Sequence, residues 1–328
     1  MIQSSPRLSR WAHVAVALLA ACGAAGVAAQ EAYPQKPVTL LVSYPAGGSV
    51  DVTARILQGP LSKELGQQVV VDNKGGAGGT IATAVVAKAR PDGYTLLMTL
   101  SSHTINPWIY DKLPFDTSKD FVPVSLVAST PQVLVANPAF PASSLTELLA
   151  TARASGTPIS YGSAGVGSPG HIAGELMRMK SNTKFTHVPY RGGGPATIAV
   201  LGGEIPLLWV SLPSVAQHVK AGKLKALAVS TLERAPTLPD VPTVAELIPG
   251  FRVDAWNAIF VPAGTPPQII KRLERAVMDV TRQPAIKQAL LEQGAVAVGS
   301  SAEELDKVVA SELQLWQTVA REANMKAQ

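Results

Sequence analysis

Cysteine, aromatics and long apolar runs are all scarce in this chain. A single cysteine, Cys22, stands among 328 residues, so no internal disulfide can form and stability must come from packing. Phe, Tyr and Trp make up 5% of the chain and charged residues 16%. The basic residues are scattered without interleaved aromatics, which argues against nucleic-acid binding. Beyond the first 30 residues, no unbroken apolar stretch approaches the ~18 residues of a membrane helix. No internal repeat is visible.

The N-terminus carries an export pattern. Arg7 and Arg10 precede the apolar run Trp11 to Ala21, and Val27-Ala28-Ala29 forms a small-residue cleavage site before Gln30. This reads as a secretory signal peptide over 1–29 and not as a membrane span. Leu19-Ala20-Ala21-Cys22-Gly23 also fits a lipobox, in which Cys22 would be acylated and become the mature N-terminus. Both readings place the mature protein in the periplasm. The formal charge of +5 falls to +3 once Arg7 and Arg10 are removed, because no acid precedes Glu31. The remaining ~300 residues are enough for two lobes of ordinary size.

Glycine is plentiful, and its placement is informative. Three times an apolar run breaks into glycine, serine and proline and resumes with helical spacing. The loops are Tyr44-Pro45-Ala46-Gly47-Gly48-Ser49, Lys74 to Thr80 with Gly75-Gly76-Ala77-Gly78-Gly79 inside it, and Tyr161 to Gly170. Each offers backbone N–H groups where a helix begins, and a helix N-terminus carries unpaired donors and about half a positive charge. Such loops suit capture of a carboxylate or phosphate. The first and the mid-chain loops are expected to face each other across a cleft and hold one carboxylate jointly.

Strands and helices alternate around these loops. Val38 to Ser43 has strand length, and Val50, Ala54, Leu57, Leu61 and Leu65 then follow at helical spacing until Gly66. Val69 to Val71 and Tyr94 to Thr99 supply further strands, which makes a parallel, doubly wound beginning. The scheme repeats from Ile159 to Ser230. A helix with Ile269, Leu273, Val277 and Val280 on one face, a second ending at Gly294, and a last one opening at Ser300 or Ser301 complete the chain. Two extended runs, Val122 to Asn137 and Asp254 to Val261, are candidates for crossings between lobes. The expected architecture is therefore α/β and two-lobed, a periplasmic-binding-protein (Venus-flytrap) fold with two interlobe crossings. One discontinuous lobe spans 30–130 and 254–328, and the other spans 131–253. Such a hinge allows closure around a ligand.

Several familiar motifs fail on inspection. Gly165-Val166-Gly167-Ser168-Pro169-Gly170 matches G-x-G-x-x-G, yet no Asp or Glu follows about 20 residues on to hold a ribose. The Gly75 to Gly79 loop lacks the Lys-Ser/Thr ending of a phosphate-binding P-loop. Ser49, Ser163 and Ser168 lie outside G-x-S-x-G, although a triad could assemble in space with His103, His171 or His187. His171 and Glu175 share a helix face without an H-E-x-x-H motif or a second ligand cluster. No metal and no cofactor is implied. Asp51 falls in the first turn of its helix, where a carboxylate favours the dipole. Ser101-Ser102-His103 follows the third strand at the edge where open α/β sheets bind ligands. Arg191, beside Gly192-Gly193-Gly194, is a cation next to a glycine loop and could clamp a second carboxylate.

Taken in order, the segments Tyr44 to Asp51, Gly76 to Gly79, Pro91 to Leu96, Ser101 to Asn106, Gly167 to His171, Val188 to Gly192, Ala221 to Leu224, Leu238 to Thr243 and Pro262 to Pro266 resemble the Bug family of extracytoplasmic solute receptors serving tripartite tricarboxylate transporters. The resemblance covers essentially the whole mature chain. It implies a monomeric receptor that captures a small carboxylate or dicarboxylate through backbone amides, hydroxyls and bridging water, performs no chemistry, and delivers it to integral membrane transporter subunits. The positions expected to bind are Tyr44, Ala46, Gly47, Gly48, Ser49, Ser101, Ser102, Gly165, Gly167, Ser168, His171 and Val210. Val210 stands where the family usually carries an aspartate available to a ligand amine. A carboxylate without an α-amino group is therefore expected, with its body near Val210 and Trp209. Two other readings stay open at this stage: a sensory partner of a membrane protein, and a secreted hydrolase using Ser168 and His171.

Overall fold

The computed structural model describes residues 33–322. The expected signal peptide and Cys22 lie outside the described residues. Two separate β-sheets organise the chain.

The first sheet is six-stranded. It contains β1 (Val38–Val42), β2 (Val69–Asn73), β3 (Thr95–Leu100), β4 (Phe121–Ser129), β10 (Trp256–Pro262) and β11 (Val296–Ala297), in the order β11-β4-β10-β3-β1-β2. β1 runs parallel to β2 and β3, whereas β10 is antiparallel to both β3 and β4. β1 reads as continuously apolar because both faces of the sheet are covered. Leu40 and Val42 point toward Val50, Ala54 and Leu57 of α1 (Ser49–Leu65) and toward Leu273 and Val277 of α8 (Pro267–Arg282). Leu41 points the other way, to Ala82 and Val86 of α2 (Thr80–Ala87) and to Leu305 of α10 (Ala302–Glu322). Helix α1 stops at Gly66, which takes the left-handed conformation at φ 74° that a side chain would resist.

The second sheet is five-stranded: β5 (Gln132–Ala136), β6 (Ile159–Ser163), β7 (Phe185–Pro189), β8 (Leu207–Ser211) and β9 (Lys225–Val229), in the order β7-β6-β8-β5-β9. β6 is parallel to β7 and β8, and β5 is antiparallel to β8 and β9. One face packs Leu134, Tyr161 and Trp209 against α4 (Leu145–Ala154) and α5 (Pro169–Ser181). The other packs Val133, Leu208 and Val210 against α6 (Gly193–Leu201). The pleat therefore sends Trp209 and Val210 to opposite faces. The remaining helices are α3 (Ser102–Ile109), α7 (Ala216–Lys220) and α9 (Pro284–Glu292).

The two passages between sheets are shorter than the extended runs suggested. Val122 to Asn137 divides into β4 of the first sheet and β5 of the second, and the chain crosses at Thr130-Pro131. Asp254 to Val261 is mostly β10, which is buried between β3 and β4. An apolar run of that kind is more stable inside a sheet than bridging two lobes. The return passage lies before it, and the two run side by side. Thr130 N–H donates to Ala255 O at 2.8 Å, Val253 N–H to Ser230 O at 3.1 Å, and Ser230 N–H to Gln132 O at 2.9 Å.

Candidate functional site

The turn from β1 into α1 holds the first glycine loop in place. Gly47 has φ +80°, and its N–H donates to Asp51 Oδ2 at 2.9 Å while Arg55 Nε donates to Asp51 Oδ1 at 2.9 Å. Asp51 is thus a brace inside its own loop, and the Gly47 donor is occupied. Gly48 is the N-cap of α1 and provides no side-chain cap. Among the described residues, nothing accepts from the N–H groups of Ser49 and Val50, the first helical donors. Asn257 of β10 fixes this end of the helix, its Nδ2 donating to Ser49 O at 3.3 Å and to Thr53 Oγ1 at 2.8 Å. Tyr44 is buried, its hydroxyl paired with Ser102 Oγ at 2.9 Å. Burial raises its pKa well above the ordinary phenol value, and the Ser102 bond only partly opposes this.

The wall facing this loop is the turn from β7 into α6. Gly192, with φ +145°, is the N-cap of α6, again without a side-chain cap. A Cβ placed on Gly47 would lie 3.7 Å from Gly194 Cα, and one on Gly48 would lie 3.8 Å from Gly193 N. Two uncapped helix N-termini, one from each sheet, therefore meet head to head. Between them is a pocket of about 10 Å³ bounded by Tyr44, Ser49, Ala164, Gly193, Val210 and Ser214, which is room for about one water. Ser214 is 9% exposed, and its hydroxyl has no partner. Ser211 is beside it, its Oγ accepting from Gln132 Nε2 at 2.8 Å.

Tyr44 and Ala164 also line an outer chamber of about 250 Å³. Gly76, Ala77 and Gly78 of the second glycine loop, Tyr110, Tyr190 and Arg191 complete its wall. Neither cavity has an acidic side chain in its lining.

The mid-chain loop does not take the place expected for it. Several of its donors are consumed internally: Gly165 N–H by Ser163 Oγ at 3.1 Å, Gly167 N–H by His171 Nδ1 at 3.3 Å, Ser168 N–H by Gly165 O at 3.1 Å, and His171 N–H by Ser168 Oγ at 3.3 Å, whereas among the described residues nothing accepts from Ala164, Val166 or Gly170. It faces the second glycine loop at Val166 and meets the first only through Ala164, which borders the inner pocket with Tyr44, Gly48 and Ser49. A Cβ on Gly78 would lie 2.9 Å from Val166 O, and one on Gly167 would lie 2.9 Å from Asn106 Oδ1. Of the expected contacts, Tyr44, Gly48, Ser49 and Val210 line the inner pocket, and Gly165 lines the outer chamber. Ala46 abuts Gly194 through its carbonyl. Ser102 reaches the site only through Tyr44, and Ser101 is buried outside both cavities. Trp209 stacks on Phe251 in the core and is remote from Val210's face. Gly193, Gly194 and Ser214 are the positions that the sequence reading did not select.

The histidines are similarly redistributed. His103 is buried against the rings of Phe121 and Phe260, at 5.0 and 4.7 Å, and desolvation lowers its pKa to about 3. His171 and His187 stack at 4.1 Å, and His187 Nε2 lies 2.6 Å from Ser163 Oγ. Desolvation lowers both pKa values, that of His187 to about 3 with a further contribution from His171. Glu175 does not orient either ring through a hydrogen bond. Tyr161 Oη donates to one of its oxygens at 2.9 Å and Arg178 Nε to the other at 2.9 Å. Ser168 Oγ receives a backbone N–H and not an imidazole, so the Ser168–His171 couple of a hydrolase is not assembled.

A two-lobed α/β protein with such a cleft falls in the class of periplasmic solute-binding proteins. A family model described as the tripartite tricarboxylate transporter family receptor matches residues 53–325, and the chain belongs to that family. Protein BugT of Bordetella pertussis is 37% identical over 311 residues, covering 94% of this chain and 95% of that protein. The structure of periplasmic binding protein BugD is similar with a TM-score of 0.86 at 33% identity, over 90% of this chain and 100% of that one. Rpa4515 of R. palustris, solved with adipate, gives 0.87 at 33% identity, over 90% and 99%. Family and structural neighbours are solute-binding receptors and not enzymes.

Proposed function

We propose that the protein captures a small organic carboxylate without an α-amino group and presents it to the membrane subunits of a tripartite tricarboxylate-type transporter. The observation that carries this reading is the head-to-head meeting of α1 and α6, whose first N–H groups lack caps, around a pocket without acidic side chains. Once the lobes part enough to widen the one-water pocket, a carboxylate there would accept from Ser49 and Val50 on one side and from Gly193 and Gly194 on the other, with the Ser214 hydroxyl beside it. Charge-assisted bonds of this kind contribute roughly 1.5–3 kcal/mol each before the costs of closure and desolvation. Capture from both sides calls for two lobes that close on the ligand. The discontinuous lobe of 30–130 and 254–328 and the inserted lobe of 131–253 would be joined at the paired passages. The adipate in the Rpa4515 structure supports the ligand class.

Val210 is 2% exposed and lines the pocket. An ammonium beside it would lose hydration without gaining a partner, a costly arrangement for a buried charge. Calorimetric titration with succinate and aspartate tests the reading, with Val210→Asp as the converse. The native protein is expected to bind succinate at least tenfold more tightly than aspartate, and Val210→Asp to narrow or reverse that preference. Tighter binding of aspartate by the native protein would refute it.

A further inference from the structure

Three cavities are neighbours through shared lining residues. The inner pocket shares Tyr44 and Ala164 with the outer chamber, and the outer chamber shares Tyr110 with a third cavity of about 340 Å³. Trp108, Leu113, Phe115 and Leu313 wall this third cavity, and Asp111 and Asp116 are in its lining. Leu313 belongs to α10, and the others lie on α3 and in the connection from α3 to β4. The outer chamber alone falls below the ~300–1,000 Å³ usual for ligand pockets, and the third cavity brings the space into that range.

Tyr110 is placed to divide them. It ends α3, its backbone N–H held by Asn106 O at 3.1 Å. Among the described residues its hydroxyl has no hydrogen-bond partner, and its ring is held by packing beside Trp108 against the core of the second sheet. The chemistry changes from backbone donors at the inner end to a mixed wall behind Tyr110, where Trp108, Leu113, Phe115 and Leu313 form the apolar part and Asp111, Asp116, Thr117 and Ser118 the polar rim. At the far rim the charge is acidic: Asp116 is tied to Lys119 at 3.0 Å, and the exposed Asp111 has no ion-pair partner among the described residues.

We propose, resting on the carboxylate reading above, that the cavity behind Tyr110 is a subsite for the apolar tail of an elongated monocarboxylate. The head lies between α1 and α6 and the chain passes Tyr110. A second carboxylate at the far end would meet Asp111, a like charge. A short dicarboxylate, held by Arg191 in the outer chamber, is the competing occupant.

The test is calorimetric titration of the full chain with butanoate, hexanoate, octanoate and decanoate, alongside succinate and octanedioate. Complete burial of a methylene corresponds to about fourfold in affinity, so from hexanoate onward each added methylene is expected to tighten binding about twofold to fourfold. Octanoate should bind more tightly than octanedioate. Leu313→Trp and Leu113→Trp, which fill the cavity from opposite walls, should each flatten the series and leave butanoate affinity unchanged. Thermal unfolding of each variant identifies one that has lost its fold, and the native series stands without either. A flat native series, tighter binding of octanedioate, or an undiminished slope in both folded variants overturns the subsite. Bound succinate with a flat series overturns this inference alone, whereas no binding by any carboxylate overturns the receptor reading with it.

Discussion

Two loops of the second sheet start from the same design and end with opposite capacities. Gly165 to Ser168 follows β6 and leads into α5, and Arg191 to Gly194 follows β7 and leads into α6. In the first, Ser168 caps the helix and the His171 imidazole accepts from Gly167. In the second, glycine occupies the N-cap and the first two helical positions, and no side chain is available to cap. A helix N-terminus attracts anions only while its donors remain unspent. Glycine content therefore does not distinguish the two loops. The distinction comes from the presence of a serine and a histidine at capping distance.

The comparison is most easily broken at Gly194, where an added Cβ would lie 2.5 Å from Ala46 O. Gly194→Val is expected to hold the two N-termini apart and lower succinate affinity at least a hundredfold, the equivalent of losing about two charge-assisted bonds. Small-angle scattering of this variant should show no compaction when the ligand is added. An affinity within fivefold of native, or normal compaction, would remove the Arg191–Gly194 loop from the site.

Gly167→Ala should do less to binding. Its φ of +76° and its closeness to Asn106 make a side chain costly to the loop. The thermal midpoint is expected to fall by a few degrees while succinate affinity changes by less than fivefold. A larger loss of affinity than in Gly194→Val would reverse the ranking of the two loops.

The smallest effect is a difference in pH response. His171 and His187 both have pKa values lowered by burial, that of His187 to about 3. An unfolded histidine titrates near ~6.5, so between that pH and about 3 the unfolded chain binds more protons than the folded one. Stability is then lost as pH falls, and it is fully present at neutral pH. No titratable cap supports Gly192 to Gly194. Amide exchange at Gly167 should accelerate below about pH 5, relative to its expected intrinsic rate, before exchange in α6 does. Equal acceleration in both loops would mean that the histidine cap adds nothing local.

How much of this was legible in the sequence depended on the range of the interactions involved. β1, the first glycine loop and α1 were readable because an apolar run, a glycine break and helical spacing are local signals. α3 was not, since Ser101-Ser102-His103 and the internal Pro107 resemble turn chemistry. Its helix is held by distant partners, with Glu312 of α10 accepting from Thr104 Oγ1 at 2.7 Å. The site itself was half legible. Val210 lines the inner pocket, and Gly192-Gly193-Gly194 carried the same glycine-before-helix signal as the loops that were selected. Ser214 had no local signal, because its position depends on where β8 delivers the chain relative to α6. The occupied donor of Gly167 was equally hidden, since it depends on the rotamer of His171.

The head-to-head placement of α1 and α6 also bears on how the cleft behaves as a machine. Each N-terminus carries about half a positive charge, and closing the cleft brings these two like charges together with only Gly47 and Gly194 between them. Without an anion that approach is opposed, and with one it becomes attractive. On the proposed reading that repulsion would act as a spring that cargo unloads, and the outline of the receptor would report whether it is carrying anything. A membrane partner touching only the outer surfaces of both lobes would then recognise a loaded receptor without meeting the ligand.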